Sequence, residues 1–208
     1  MFKDKDKRVI LYLIKNTNPN TTLLFKLLFL CDVEYYKKNK KKITSYEYIK
    51  YNFGAFAQPI YFDLAYLDSI NLISCKTLKK INIFNKEYEE CKYSIVQDIP
   101  IKLDFNEEMA IKQVINLSKK YTLQQIKNIV YDLPMVKKAK FGEILDFTVL
   151  KEEGDSKIKN LAKYNEVIKK LKLAQPIEIT EEYSRGLEQE FYSRYGNMKK
   201  ANKELLSG

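Results

Sequence analysis

Histidine is missing from this 208-residue sequence, as is tryptophan, and there are only three cysteines, six glycines and five prolines. Without histidine the chain lacks the commonest general base and metal ligand, and every Ser-His or Cys-His nucleophile arrangement is excluded. Any catalysis would fall to carboxylates, lysines or tyrosines. The cysteines, Cys31, Cys75 and Cys91, are odd in number and show no CxxC spacing, which argues against a disulfide framework and a zinc ribbon. No apolar run approaches the roughly 20 residues of a membrane span. The longest, Leu23–Cys31, is interrupted by Lys26. The opening "MFKDKDKR" is charged and has neither the apolar region nor the cleavage site of a signal peptide, so a cytoplasmic protein is expected. There is no GxSxG, P-loop or GxGxxG, and Asp32, Glu34, Asp63, Glu143 and Asp146 fall into no HExxH or DxD frame. No enzymatic activity, cofactor or metal is expected.

What is present suits a binding protein. Hydrophobic residues make up 45% of the chain, enough for a core in one medium domain with an appendage. The formal charge of +10 points to an anionic partner, nucleic acid or an acidic protein. The richness in Lys, Asn, Ile and Tyr is also that of an AT-rich genome, and codon bias with solubility accounts for most of the charge.

Along the chain, Val9, Ile10, Leu13 and Ile14 predict a helix over 5–16, closed by "NTNPNTT". Thr21 or Thr22 caps a second helix, with Leu23, Leu24, Leu27, Leu28, Cys31 and Tyr35 on one face and Lys37, Lys38 and Lys40 in its last turns. The β-prone "YEYIKYNF" precedes Gly54, a position suited to positive φ or close approach. Pro59 opens a third helix over 58–71, with Ile60, Leu64 and Leu67 inward. Residues 72–96 alternate about a turn at Asn85-Lys86, which predicts a hairpin.

Asn106 caps a helix to 119 that buries Met109, Val114 and Ile115. Thr122 to Gln125 form a capping box, and Pro134 ends the helix it opens. "KEEGDS" reads as a linker before helices over 156–172 and 180–206. The fold class is mainly α with a small β-hairpin, a winged-helix-like N-terminal helical core followed by further helices. The expected division is a domain over 1–150 and a helical extension over 151–208.

That element order raises a DNA-binding reading, with Lys37, Lys38, Lys40, Lys41, Lys42, Lys79 and Lys80 as phosphate contacts. Against it, helix 58–71 carries Asp63 and Asp68 and no Arg or Lys to offer base edges. Asp32, beside an apolar face, reads as an exposed helix carboxylate. Tyrosines and phenylalanines at 46, 48, 51, 53, 56, 61 and 66 crowd the bend at Gly54, either as core or as an amphipathic interface patch.

Residues 26–61 resemble the Panacea domain of SocA-like antitoxins and phage-associated proteins. The resemblance rests on Lys26-Leu27-Leu28, Cys31-Asp32, Tyr35-Tyr36, Ile43-Thr44, Tyr48, Phe53-Gly54 and Pro59-Ile60-Tyr61. Gly54-Ala55-Phe56 stands where the family has Gly-Pro-Val, and a lysine replaces the glycine before Ile43-Thr44. The resemblance covers about residues 8–72, with looser support to 147. It implies a non-catalytic, holdase-like antitoxin that neutralises a cognate protein toxin by direct binding. In some members the toxin is handed to a protease, which adds an AAA+ protease to the implied partners. On this reading Tyr51, Phe53, Gly54, Phe56 and Tyr61 shape the contact surface, with Asp32 as a polar anchor. The alternative is a winged-helix transcriptional regulator. The last helix is open to docking on its own domain, forming a homo-oligomer or ordering on a partner.

Overall fold

The structure, a computed structural model, describes residues 4–52, 54–81 and 87–152. Phe53, the turn at Asn85-Lys86, the linker beyond Glu152 and the helices predicted after it lie outside the described residues.

Helix α1 (Lys5–Thr17) starts where the Asp4 carboxylate accepts from the backbone N–H groups of Asp6 and Lys7 at 3.0 and 3.3 Å. It buries Val9, Ile10, Leu11, Leu13 and Ile14. Helix α2 (Thr21–Asn39) is capped by Asn20, whose side chain accepts from the Leu23 N–H at 2.8 Å, rather than by Thr21 or Thr22. An asparagine just ahead of the threonines is an equally good cap and takes the position.

Every residue from Leu24 to Val33 is buried, so α2 is the central helix of the domain rather than a one-faced amphipathic one. It is packed by α1, by α4 (Phe105–Lys120) and by α5 (Leu123–Asp132). Total burial carries Lys26 and Asp32 inside with the leucines. Asp32 is therefore not the exposed helix carboxylate expected from the sequence.

Between α2 and α3 (Pro59–Ser69) lies a short hairpin, β1 (Ile49–Tyr51) with β2 (Gly54–Phe56), which the sequence reading did not separate from its β-prone run. Gly54 begins β2 at φ +88°. Three helices are then followed by the predicted larger hairpin, β3 (Ile73–Ile81) with β4 (Glu87–Ile95), in antiparallel register from Ile73↔Ile95 to Ile81↔Glu87. The Tyr93 N–H donates to the Pro19 carbonyl at 2.9 Å, tying β4 to the α1–α2 turn.

One disulfide joins Cys75 and Cys91, Cα atoms 5.5 Å apart. This corrects the expectation drawn from an odd cysteine count. The two are diagonal neighbours, since Cys75 faces Tyr93 and Cys91 faces Thr77.

Helix α4 is capped by Asp104, with Glu107 in a capping box, not by Asn106, and it leaves Met109 42% exposed while Val114 and Ile115 are buried. The Thr122–Gln125 capping box of α5 forms as predicted, and Pro134 opens α6 (Pro134–Lys138). A strip over 140–145 then runs back along β1, and α7 (Val149–Glu152) follows. Among the described residues no helix is long and apolar enough to cross a membrane.

Candidate protein-binding site

Two polar residues of α2 act as posts for the segment that follows it. The first is Asp32. Its carboxylate accepts from the N–H groups of Ile43 and Thr44, each at 2.8 Å, from the Thr44 hydroxyl, and from the Tyr48 hydroxyl at 2.8 Å. Burial raises its carboxyl to about 6 from the ordinary 3.8, against the hydrogen bonds from Thr44 and Tyr48 that lower it. Asp32 thus anchors the chain internally, with no exposed surface to offer a partner.

The second post is Lys26, which donates to the Ala55 carbonyl at 2.9 Å. Burial brings its ammonium down to about 7, and the nearby charge of Lys127 acts in the same direction. Gly54 completes the fit. A Cβ there would lie 3.2 Å from Val130 Cγ1, so only glycine lets the hairpin settle on α5 at this φ. The Tyr131 hydroxyl of α5 donates to the Asn52 carbonyl.

Held between these posts and α5, the hairpin builds a ladder of rings from core to surface. Phe25 of α2 is buried and stacks on Phe56, centroids 5.6 Å apart at 11°. Phe56 meets Tyr51 at 5.1 Å and Tyr61 of α3 at 5.8 Å, and Tyr51 stacks on Phe141 at 5.1 Å and 29°. Exposure rises along the way: Phe56, Tyr51 and Tyr61 are half-buried and Phe141 is 57% exposed. The 140–145 strip that carries Phe141 is bonded to β1. Lys50 N–H donates to Glu143 O at 2.9 Å, Gly142 N–H to Lys50 O at 2.7 Å, and Leu145 N–H to Tyr48 O at 2.8 Å.

The structure therefore brings Tyr51, Gly54, Phe56 and Tyr61 together, with Gly54 as a buried hinge and the rings as the surface. Asp32 serves as an internal post instead. Phe53 lies outside the described residues. Sequence reasoning missed Phe25, Phe141 and Lys26. A charge interrupting an apolar helical run was the available signal for Lys26, whereas the approach of Phe141 to Tyr51 across ninety positions leaves no local trace.

The lysines of the DNA reading do not share one environment. Lys37 pairs with Glu34 at 2.7 Å, and Lys80 pairs with Glu90. Lys42 donates to the Tyr46 carbonyl and lies over the rings of Tyr48 and Phe147, at 5.8 and 5.6 Å. Lys38, Lys40, Lys41 and Lys79 are exposed. On α3, Asp63 pairs with Lys7 at 2.7 Å and accepts from the Tyr46 hydroxyl at 2.5 Å, so its charge is spent inside the protein. Among the described residues no group of three His, Cys, Asp or Glu is placed to hold a metal ion.

Residues 24–135, more than half of the chain, match the family described as antitoxin SocA-like, Panacea domain. The chain belongs to this family. No curated protein and no solved structure gives a significant match. The Panacea match takes in both posts, the whole hairpin, Phe25, Phe56 and Tyr61, and it stops before Phe141. Of the residues that carry the Panacea resemblance in sequence, Tyr61 is a ring of the ladder, whereas Lys26, Asp32, Thr44, Tyr48 and Gly54 fix segment 43–56 on α2 and α5. In this member they act as scaffold for the rings rather than as the surface itself.

Proposed function

We propose that this protein is a cytoplasmic, non-catalytic antitoxin that binds a cognate protein toxin directly, with Tyr51, Phe56, Tyr61 and Phe141 as the contact surface. The observation that carries this reading is the ring ladder. Large rigid side chains, anchored at one end in the core through Phe25 and half-exposed at the other, provide contact area at little cost in side-chain entropy. Membership of an antitoxin family supports the partner class. Neutralisation by occupying the toxin needs no chemistry from the antitoxin; hand-over to an AAA+ protease would be a further step made visible by toxin turnover. A holdase-like role and a prophage setting accord with this reading. The DNA-binding alternative gains nothing from α3, whose exposed residues are Pro59, Phe62 and Tyr66.

The test is co-expression with the open reading frame beside this gene. Growth arrest by that product, relieved by this protein with a complex that survives purification, is the expected result. Tyr51→Ala with Phe56→Ala, checked for retained helicity and cooperative melting, should abolish rescue and co-purification. Rescue that survives the double change in a folded protein would overturn the assignment of the surface.

A further inference from the structure

We propose that the outer end of the ring ladder, with the lysines bordering it, is shaped for an acidic amphipathic segment of a partner protein. This rests on the docking reading above and adds the chemistry of what docks. Phe141 and Ile144, 57% and 59% exposed, present apolar surface from the strip that lies along β1. Such exposure beside Tyr51 makes an apolar centre.

The rim is basic. Lys138 and Lys140 are exposed, lie three and one positions before Phe141, and make no ion pair among the described residues. Lys137 is paired with Asp132 at 2.8 Å, so it adds no net charge. Lys50, on β1 next to Tyr51, donates to the Ala139 carbonyl at 2.8 Å and so holds its charge against the same strip.

Two carboxylates oppose them. Glu143 is turned onto the Lys140 N–H at 2.6 Å, and Asp146 onto the Thr148 N–H and hydroxyl at 2.8 and 2.7 Å. The lysines outnumber them, so the field at the rim is positive. An apolar centre with a cationic rim is complementary to a helix carrying leucines on one face and glutamates beside them. Single-stranded nucleic acid also pairs rings with lysines. It fits less well here, because the outermost rings, Tyr51 and Phe141, already stack on each other and Glu143 stands beside them.

Three labelled probes test this with the full chain: an 18-residue amphipathic peptide of leucine and glutamate, the same peptide with lysine for glutamate, and a 20-nucleotide oligothymidylate. The glutamate peptide should bind at least tenfold more tightly than either of the others at 0.15 M salt. Lys138→Glu with Lys140→Glu should weaken it at least tenfold, as should Phe141→Ala, while the equal charge change Lys76→Glu with Lys79→Glu on β3 leaves it within twofold. Equal binding of the two peptides, no binding of the acidic one, or equal loss from the β3 change would overturn the inference. Tightest binding of the oligonucleotide would assign the surface to nucleic acid instead. Toxin rescue lost in Tyr51→Ala/Phe56→Ala but intact in Lys138→Glu/Lys140→Glu would sink the acidic partner alone and leave the docking surface standing.

Discussion

The Nζ of Lys26 and the carbonyl oxygen of Ala55 are 2.9 Å apart in the interior of the domain. The sheet explains why that carbonyl is there to be met. Ala55 pairs with Lys50, whose own N–H and carbonyl turn away to Glu143 and Gly142, so this is the non-hydrogen-bonded kind of pair and the Ala55 carbonyl faces the opposite edge. Holding a charged ammonium there costs free energy, and the cost depends on pH. The folded value, about 7, is below the ordinary 10.5, so between them the unfolded chain binds more protons and stability rises with pH. Lys26→Met removes this slope. The stability of the natural protein relative to Lys26→Met should rise by roughly 1–2 kcal/mol between pH 7 and 8.5, read from urea midpoints at each pH. A difference that stays flat would show that Lys26 is not buried as an isolated cation.

Asp32 gives the opposite slope. Its folded value, about 6, is above the ordinary 3.8, so between these values the folded state binds more protons and stability falls as pH rises. The full span of this loss is roughly 3 kcal/mol. Asp32→Asn should flatten it, and it should be tolerated, because the hydroxyls of Thr44 and Tyr48 can rotate to accept from the new amide. Asp32→Ala leaves four donors without their acceptor and should cost about 3–5 kcal/mol at pH 7. Comparing both variants with the natural protein at pH 4.5 and 7 separates the charge from the hydrogen bonds.

Gly54 and Gly142 both hold positive φ, +88° and +80°, but they differ in what surrounds them. A Cβ at Gly142 meets nothing within 4 Å, whereas one at Gly54 meets Val130 Cγ1 at 3.2 Å. Gly142→Ala should therefore cost about 1 kcal/mol of backbone strain alone. Gly54→Ala should cost more, roughly 2–3 kcal/mol. Part of that loss should return in Gly54→Ala/Val130→Ala, and the coupling in a double-mutant cycle measures the contact. Equal losses at the two glycines would mean that the approach to α5 is not tight.

What could be read from the sequence follows the range over which each signal acts. The helices at 5–17 and 59–69, the larger hairpin and the Thr122 box are encoded by neighbours within a few positions, and they were legible. The status of α2 was not. Its apolar spacing predicts one stripe, yet Phe25, Leu30 and Val33 also lie inside, because α4, α5 and the 43–56 segment close over the remaining faces. The same closure reassigns Asp32 from surface to interior. The crowding of Tyr51, Phe56 and Tyr61 around a glycine bend marks them as either core or interface rings, and the family resemblance alone favours the surface. No local signal marks Phe141, because only the β1-to-140–145 pairing brings it there.

The Cys75–Cys91 pair closes a loop of 16 residues within β3–β4. Cross-linking a loop of about that length restricts the unfolded chain and is worth about 3 kcal/mol in the entropic account. Reduction with dithiothreitol should then lower the stability of the whole domain by about 2–3 kcal/mol, because β4 is tied to the α1–α2 turn through Tyr93 and Pro19. Cys75→Ser should match the reduced protein and show no further response to reductant. Alkylation gives an independent readout. Cys31 is fully buried and its thiol is pushed up by burial, so in the folded protein it should stay unmodified throughout. After reduction Cys75, half-buried, should react with iodoacetamide before the buried Cys91. An unreduced sample that takes up the label at Cys75 from the outset, with a midpoint indifferent to dithiothreitol, would show that the bridge is absent in solution and that the hairpin is held by its backbone ladder alone.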